Sequence, residues 1–207
     1  TSAVVSEGLI RARFPGAVSV TFLSFVMSRP YAVRRQAAIA PDQSEFYDRT
    51  MLEKLISGGQ TGVDRAALDA ALRREFPCGG WCPRGRRAED GCIPPHYPLA
   101  ELGSSRYLDR TRRNVAESGA TLILSPRPLT GGTRATERYA RELGKPCLVV
   151  DPEPAERESA ARCIRDWLDR AGIRVLNVAG PRESSCPGIA ARAEAVVGAV
   201  LDGISSS

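Results

Sequence analysis

The chain has 207 residues, 43% hydrophobic and 26% charged, with a formal net charge of +5. That balance belongs to a globular protein with a full-sized core and excludes a low-complexity disordered chain; no apolar run reaches the roughly 20 residues a membrane-spanning helix needs. The positive excess is almost entirely arginine, Lys54 and Lys145 being the only lysines. It is not gathered into a basic block, so a small anionic ligand is a better expectation than nucleic acid.

Residues 1–50 are unlike the remainder. Ala17 to Met27 is apolar but diluted by Ser19, Thr21 and Ser24 and flanked by arginines, a poor match to a secretory signal. The functional domain is expected to begin at Met51 and to span 51–204, with 1–50 a disordered or dispensable extension. Deleting that extension is expected to leave a soluble, folded protein.

From Met51 onward strands and helices alternate. An apolar run, Leu52 to Ile56, reads as a strand and stops at Ser57-Gly-Gly-Gln-Thr-Gly62. A helix follows from Val63 to about Glu75, its alanines spaced by three and four. Pro77 and Gly79-Gly80 break the chain, Gly80 to Cys82 suits a short strand, and Pro83 to Pro98 reads as a polar loop. Ser105 to Ser118 is a predicted helix capped at Gly119, and Ala120 to Leu124 a buried strand. A second glycine turn, Thr130 to Thr133, opens a helix to about Leu143. Strand Pro146 to Val150, helix Ala155 to Ala171, strand Ile173 to Val178 and helix Ile189 to Leu201 complete the order. Such alternation predicts a doubly wound α/β fold, a mainly parallel sheet with helices on both faces.

In sheets of this kind ligands sit beyond the carboxyl ends of the strands. The loops Gly58–Gly62, Trp81–Pro98, Ser125–Thr133 and Ala179–Gly188 all fall on that predicted edge. A glycine turn between strand and helix leaves backbone N–H groups and the positive helix end free to face an anion. The first turn contains neither a phosphate-loop lysine nor a dinucleotide fingerprint, and by itself is equally readable as a tight turn. The four loops together predict a phosphate site.

Several residue groups fit such a site, each with a plainer alternative. Arg84, Arg86 and Arg87 suit bidentate recognition of phosphate, or pair with Glu89 and Asp90. Tyr107, Arg110, Thr111 and Asn114 share one helix face, which lines a pocket or simply faces solvent. Asp64 opens a helix, where a carboxylate is favoured by the dipole; toward a ligand it suits a hydroxyl or ring nitrogen rather than a phosphate. Cys78, Cys82, Cys92 and His96 approach zinc-ligand spacing, but the central spacer is short and no metal is assigned. Six scattered cysteines in a chain of this size predict reduced thiols and a cytoplasmic location. His96 is the only histidine, so no catalytic triad stands out.

Taken in order, the motifs resemble a known family. Gly58-Gly-Gln-Thr-Gly-Val-Asp-Arg-Ala-Ala-Leu-Asp69 and Gly80-Trp-Cys-Pro-Arg-Gly-Arg-Arg-Ala-Glu-Asp-Gly91 resemble the signatures of the molybdenum carrier family. So do Ile93-Pro94, Tyr97-Pro-Leu99, Gly131-Gly-Thr133, Gly144-Lys-Pro146 and Asn177-Val-Ala-Gly-Pro-Arg-Glu-Ser184. The likeness runs from about Leu52 to Leu201. It implies a Rossmann-like protein, forming a homo-oligomer (dimer or tetramer), that binds molybdenum cofactor (molybdopterin) or a related pterin or nucleotide phosphate and passes it to molybdoenzymes. The implied ligand residues are Gly58, Gly59, Gln60, Thr61, Gly62, Asp64, Arg84, Arg86, Arg87, Gly131, Gly132, Thr133, Asn177, Arg182, Glu183 and Ser184. A wider group containing Lonely-guy-type phosphoribohydrolases and DprA-type proteins implies an alternative, cleavage of a nucleoside monophosphate with Arg134 and Glu137 as participants. The phosphoribohydrolase motif Gly-Gly-x-Gly-Thr-x-x-Glu is, however, one glycine short here.

Overall fold

A computed structural model of the chain describes residues 52–205; the expectations placed on residues 1–50 lie outside the described residues. Its centre is a five-stranded sheet in the order β2-β1-β9-β7-β8, with every neighbouring pair parallel. The strands are β1 (Lys54–Ile56), β2 (Cys78–Gly79), β7 (Ala120–Leu124), β8 (Cys147–Val150) and β9 (Val175–Ala179). β7 is buried at every residue, the continuous apolar run expected of a strand covered on both faces.

Helices α1 (Val63–Leu72), α4 (Arg157–Arg170) and α5 (Ile189–Ser205) pack side by side as one layer, with α5 between the other two. Helices α2 (Tyr107–Glu117) and α3 (Gly131–Glu142) pack together and cover β7, β8 and β9 from elsewhere. The two sides differ in kind. Leu55, Leu122, Leu124, Leu176 and Val178 join Leu68, Ile164, Val197 and Leu201 in one large apolar core. Ile56, Val115, Ile123, Leu129 and Ala140 are buried outside that core, and Asn114, Thr121, Thr133, Thr136 and Asn177 are buried polar residues. The doubly wound class read from the sequence is therefore the fold.

The stretch between β2 and α2 is where sequence and structure part. The edge strand of the main sheet is Cys78–Gly79, which was not expected, while the short strand expected over Gly80 to Cys82 is present as Trp81–Cys82 but lies outside that sheet. Trp81–Cys82 (β3) instead pairs with Ala100–Glu101 (β6), and Arg87–Ala88 (β4) with Gly91–Cys92 (β5). Strands of two residues carry no period to read. The chain turns at Gly80, at φ 127°, because it passes against the first loop: a Cβ there would lie 2.1 Å from the Ser57 carbonyl oxygen. Elsewhere the helices are shorter than expected by one to three residues at an end, except α5, which runs on to Ser205. Among the described residues no helix is long and apolar enough to cross a membrane.

Candidate functional site

β9 lies between β1 and β7, and the chain leaves β1 and β7 toward opposite helix layers. Loops that diverge in this way leave a crevice at the carboxyl edge, where α/β sheets bind ligands. A cleft of about 310 Å³ occupies that place. Gly58, Gln60 and Asp64 line it from the first loop and α1, and Tyr107, Arg110, Thr111 and Asn114 from α2. Thr130 to Thr133 and Thr136 close the α3 side, and Asn177 to Arg182 form the end of β9 and its loop. The volume is at the small end of ligand pockets and suits a mononucleotide-sized molecule rather than a dinucleotide.

An ion pair lies in this cleft. Arg110 Nη1 donates to Asp64 Oδ2 at 2.5 Å, and the two side chains are only 12% and 7% exposed. The guanidinium passes directly over Gly58; a Cβ at that residue would fall 1.3 Å from Nη1. A larger residue there would push the guanidinium aside, so glycine leaves room for the ion pair and is not needed for backbone freedom. Asp64 Oδ2 also accepts from the Gln60 amide at 3.3 Å. Gln60 is 4% exposed, and its Oε1 accepts from the amides of Thr61 (3.1 Å) and Glu89 (2.9 Å). Among the described residues, Gln60 Nε2 and Arg110 Nε are buried without a hydrogen-bond partner. Each unmade bond costs about 1–3 kcal/mol, so a ligand acceptor that completes it gains correspondingly.

The α3 side supplies a different kind of donor. Thr130 precedes the helix without capping it through its side chain, and the first turn holds no acidic residue. No side chain caps α3, and Gly131, Gly132 and Thr133 at its start line the cleft, at the positive end of a three-turn helix. Across the mouth Arg182 lies over the Tyr107 ring, 5.0 Å from its centroid, joining the β9 loop to the start of α2.

The sequence-derived ligand set is divided by the structure. Gly58, Gln60, Asp64, Gly131, Gly132, Thr133, Asn177 and Arg182 line the cleft; Gly59, Thr61, Gly62, Arg84, Arg86, Arg87, Glu183 and Ser184 do not. Arg86 is a strap: its guanidinium donates to the carbonyls of Ile93, Pro94, Tyr97 and Leu99 at 2.8–3.1 Å and holds the 83–98 loop closed on itself. Arg84 and Arg87 are exposed. Glu183 caps α5, accepting from the amides of Gly188 (2.5 Å) and Ala190 (3.0 Å). Thr61 and Ser184 both donate to the Glu89 carboxylate, and Arg182 approaches it at 3.9 Å. Arg134 and Glu137 lie on α3 outside the cleft lining. Cys78, Cys82, Cys92 and His96 are not gathered: among the described residues no three His, Cys, Asp or Glu side chains converge as a metal requires. All six thiols are free.

The α2 stripe is the part the ligand set omitted, and it faces inward. Asn114 fixes the face: its side-chain amide accepts from the Trp81 N–H at 2.9 Å and donates to the Trp81 carbonyl at 3.1 Å. With Asn114 pinned on β3, Tyr107, Arg110 and Thr111 follow onto the cleft by helical spacing. That spacing was visible in the sequence; which way it turned was not.

Glu89 ties three loops together, and its titration gives a test. Burial opposes its charge, but the hydroxyls of Ser184 and Thr61, the Ser184 amide and Arg182 together hold the carboxyl below its ordinary range. A depressed folded-state pKa means stability present above the ordinary carboxylate range and lost as pH falls through the depressed value. Thermal denaturation between pH 3 and 6 is expected to show a shallower acid loss for Glu89→Gln than for the parent. Parallel acid limbs would show that Glu89 contributes no linkage.

An all-parallel five-stranded sheet with a cleft where its strand order reverses defines a Rossmann-like protein. The model of the circularly permutated YpsA SLOG family matches residues 55–201, and the chain belongs to that family. It is also similar to a solved structure from Syntrophus aciditrophicus SB named "putative molybdenum carrier protein", with 44% sequence identity and a TM-score of 0.71. The similarity covers 73% of this chain and 96% of that one, which bears out the resemblance read from the motifs. No curated protein matches the chain.

Proposed function

We propose that the cleft holds molybdenum cofactor, or a related pterin or nucleotide phosphate, as cargo, and that the protein carries it without transforming it. The observation that carries this reading is the pairing of two donor systems in one small cleft: the uncapped start of α3 and the buried, unpartnered nitrogens of Gln60 and Arg110. The first suits the phosphate, through amides and the helix end, with Arg182 at the mouth to neutralise it. The second suits an oxygen of the ring system. No cysteine or histidine of the described residues lines the cleft, so the cofactor's own sulfurs would keep the metal and the protein would grip phosphate and ring. The carrier-type name of the 44% identical relative supports the same role. A homo-oligomer, and molybdoenzymes as recipients, complete the proposal.

Phosphoribohydrolase chemistry is less well supported. Arg134 and Glu137 do not line the cleft, and Asp64, the carboxylate that does, is engaged by Arg110. A catalytic carboxylate needs to reach the reacting centre.

Native mass spectrometry of the full chain with molybdopterin is expected to show one ligand per chain, displaced by millimolar inorganic phosphate. Arg182→Ala is expected to weaken retention about tenfold, the scale of one charge-assisted contact. AMP incubated with the protein should be recovered intact. Steady release of ribose 5-phosphate would replace the carrier reading with an enzymatic one.

A further inference from the structure

The orientation of the Gln60 amide is settled by its neighbours. Two backbone N–H groups, of Thr61 and Glu89, donate to one end of the carboxamide, and only oxygen accepts such bonds. Nε2 is therefore the other end, and it is buried without a partner among the described residues, as is Arg110 Nε. Both residues line the cleft, so these two unpartnered N–H donors lie in its wall, beneath the accessible surface. This part of the wall also carries no net charge, because Arg110 is balanced by Asp64 at 2.5 Å. A buried neutral pair of donors suits a neutral carbonyl oxygen better than a dianion, which is better placed at the helix end and the more exposed Arg182.

We propose that Gln60, seconded by Arg110, is a specificity-determining residue that selects ligands carrying a ring oxo group over those carrying an amino group at the equivalent position. An amino group would set donor against donor and leave both nitrogens unsatisfied. Sites built to hydrogen-bond one group reject its replacement for this reason. The inference rests on the phosphate-binding reading of the same cleft.

Two purine monophosphates that differ in this group test it: IMP, with a 6-oxo group, and AMP, with a 6-amino group. Calorimetric titration of the full chain is expected to give IMP an affinity at least about tenfold above AMP, with inorganic phosphate weaker than IMP. Gln60→Glu keeps an oxygen for the Thr61 and Glu89 amides and replaces the donor by an acceptor. It is expected to bring the ratio to unity or reverse it. Equal affinity of the parent chain for IMP and AMP overturns the proposal, as does a ratio unchanged by Gln60→Glu. Phosphate binding with no gain from either nucleotide also overturns it but leaves the phosphate site standing. Failure of phosphate and both nucleotides to bind removes the phosphate-binding reading and this inference with it.

Discussion

Arg110→Ala is expected to destabilise the protein by about 3–5 kcal/mol, because it leaves the Asp64 carboxylate buried and unpaired. The two side chains are 12% and 7% exposed, so solvent cannot replace the lost partner without the cleft opening. For a domain of this size that corresponds to a fall of roughly 6–20 °C in Tm. Ligand affinity should be lost as well, but a destabilised variant cannot separate the two effects. The double variant Arg110→Met, Asp64→Leu does so. Replacing a buried ion pair by packed apolar side chains is often neutral, so most of the stability should return while binding does not. An Arg110→Ala protein with an unchanged Tm would show that the pair is solvated. A double variant that binds IMP as tightly as the parent would remove both residues from the site.

Arg86→Lys is the second large effect expected. Four carbonyls, from Ile93, Pro94, Tyr97 and Leu99, converge on one planar guanidinium. Lysine keeps the charge but is a single point donor and cannot span four acceptors in that fork. Loss of the strap should cost about 2–4 kcal/mol, allowing for water reaching some of the carbonyls. Limited proteolysis should cut first between residues 83 and 98. The contrast with a ligand role is direct: a phosphate-binding arginine replaced by lysine should weaken ligand affinity and leave the loop protected. Unchanged protection with weakened binding would restore Arg86 to the ligand set.

Local signals carried most of the fold. β7 and β8 are apolar runs bounded by glycine, proline or polar turns, and α1, α3 and α4 show helical spacing over ten or more residues. Of the five short strands β2 to β6 only β3, at Trp81–Cys82, was legible. Two residues have no period, and their pairing depends on where Gly80 lets the chain pass against Ser57.

The site was legible by position and not by side chain. Parallel alternation places the loops after β1, β7 and β9 on one edge wherever they occur in sequence, and the cleft is there. Charge and motif membership could not tell a cleft-lining residue from a brace. Arg86, Glu183, Thr61 and Ser184 sit in the same motifs as Gly58, Gln60 and Arg182, yet they spend their hydrogen bonds inside the protein.

The sequence by itself determined the order of elements, the parallel sheet and the edge that carries the cleft, since these follow from residues close together in the chain. Only the tertiary structure decided that Arg110 crosses Gly58 to reach Asp64, 46 residues away, and that Gln60 spends its oxygen on Thr61 and Glu89. Those choices depend on which loops meet in space. A buried polar group takes the partner that folding brings to it.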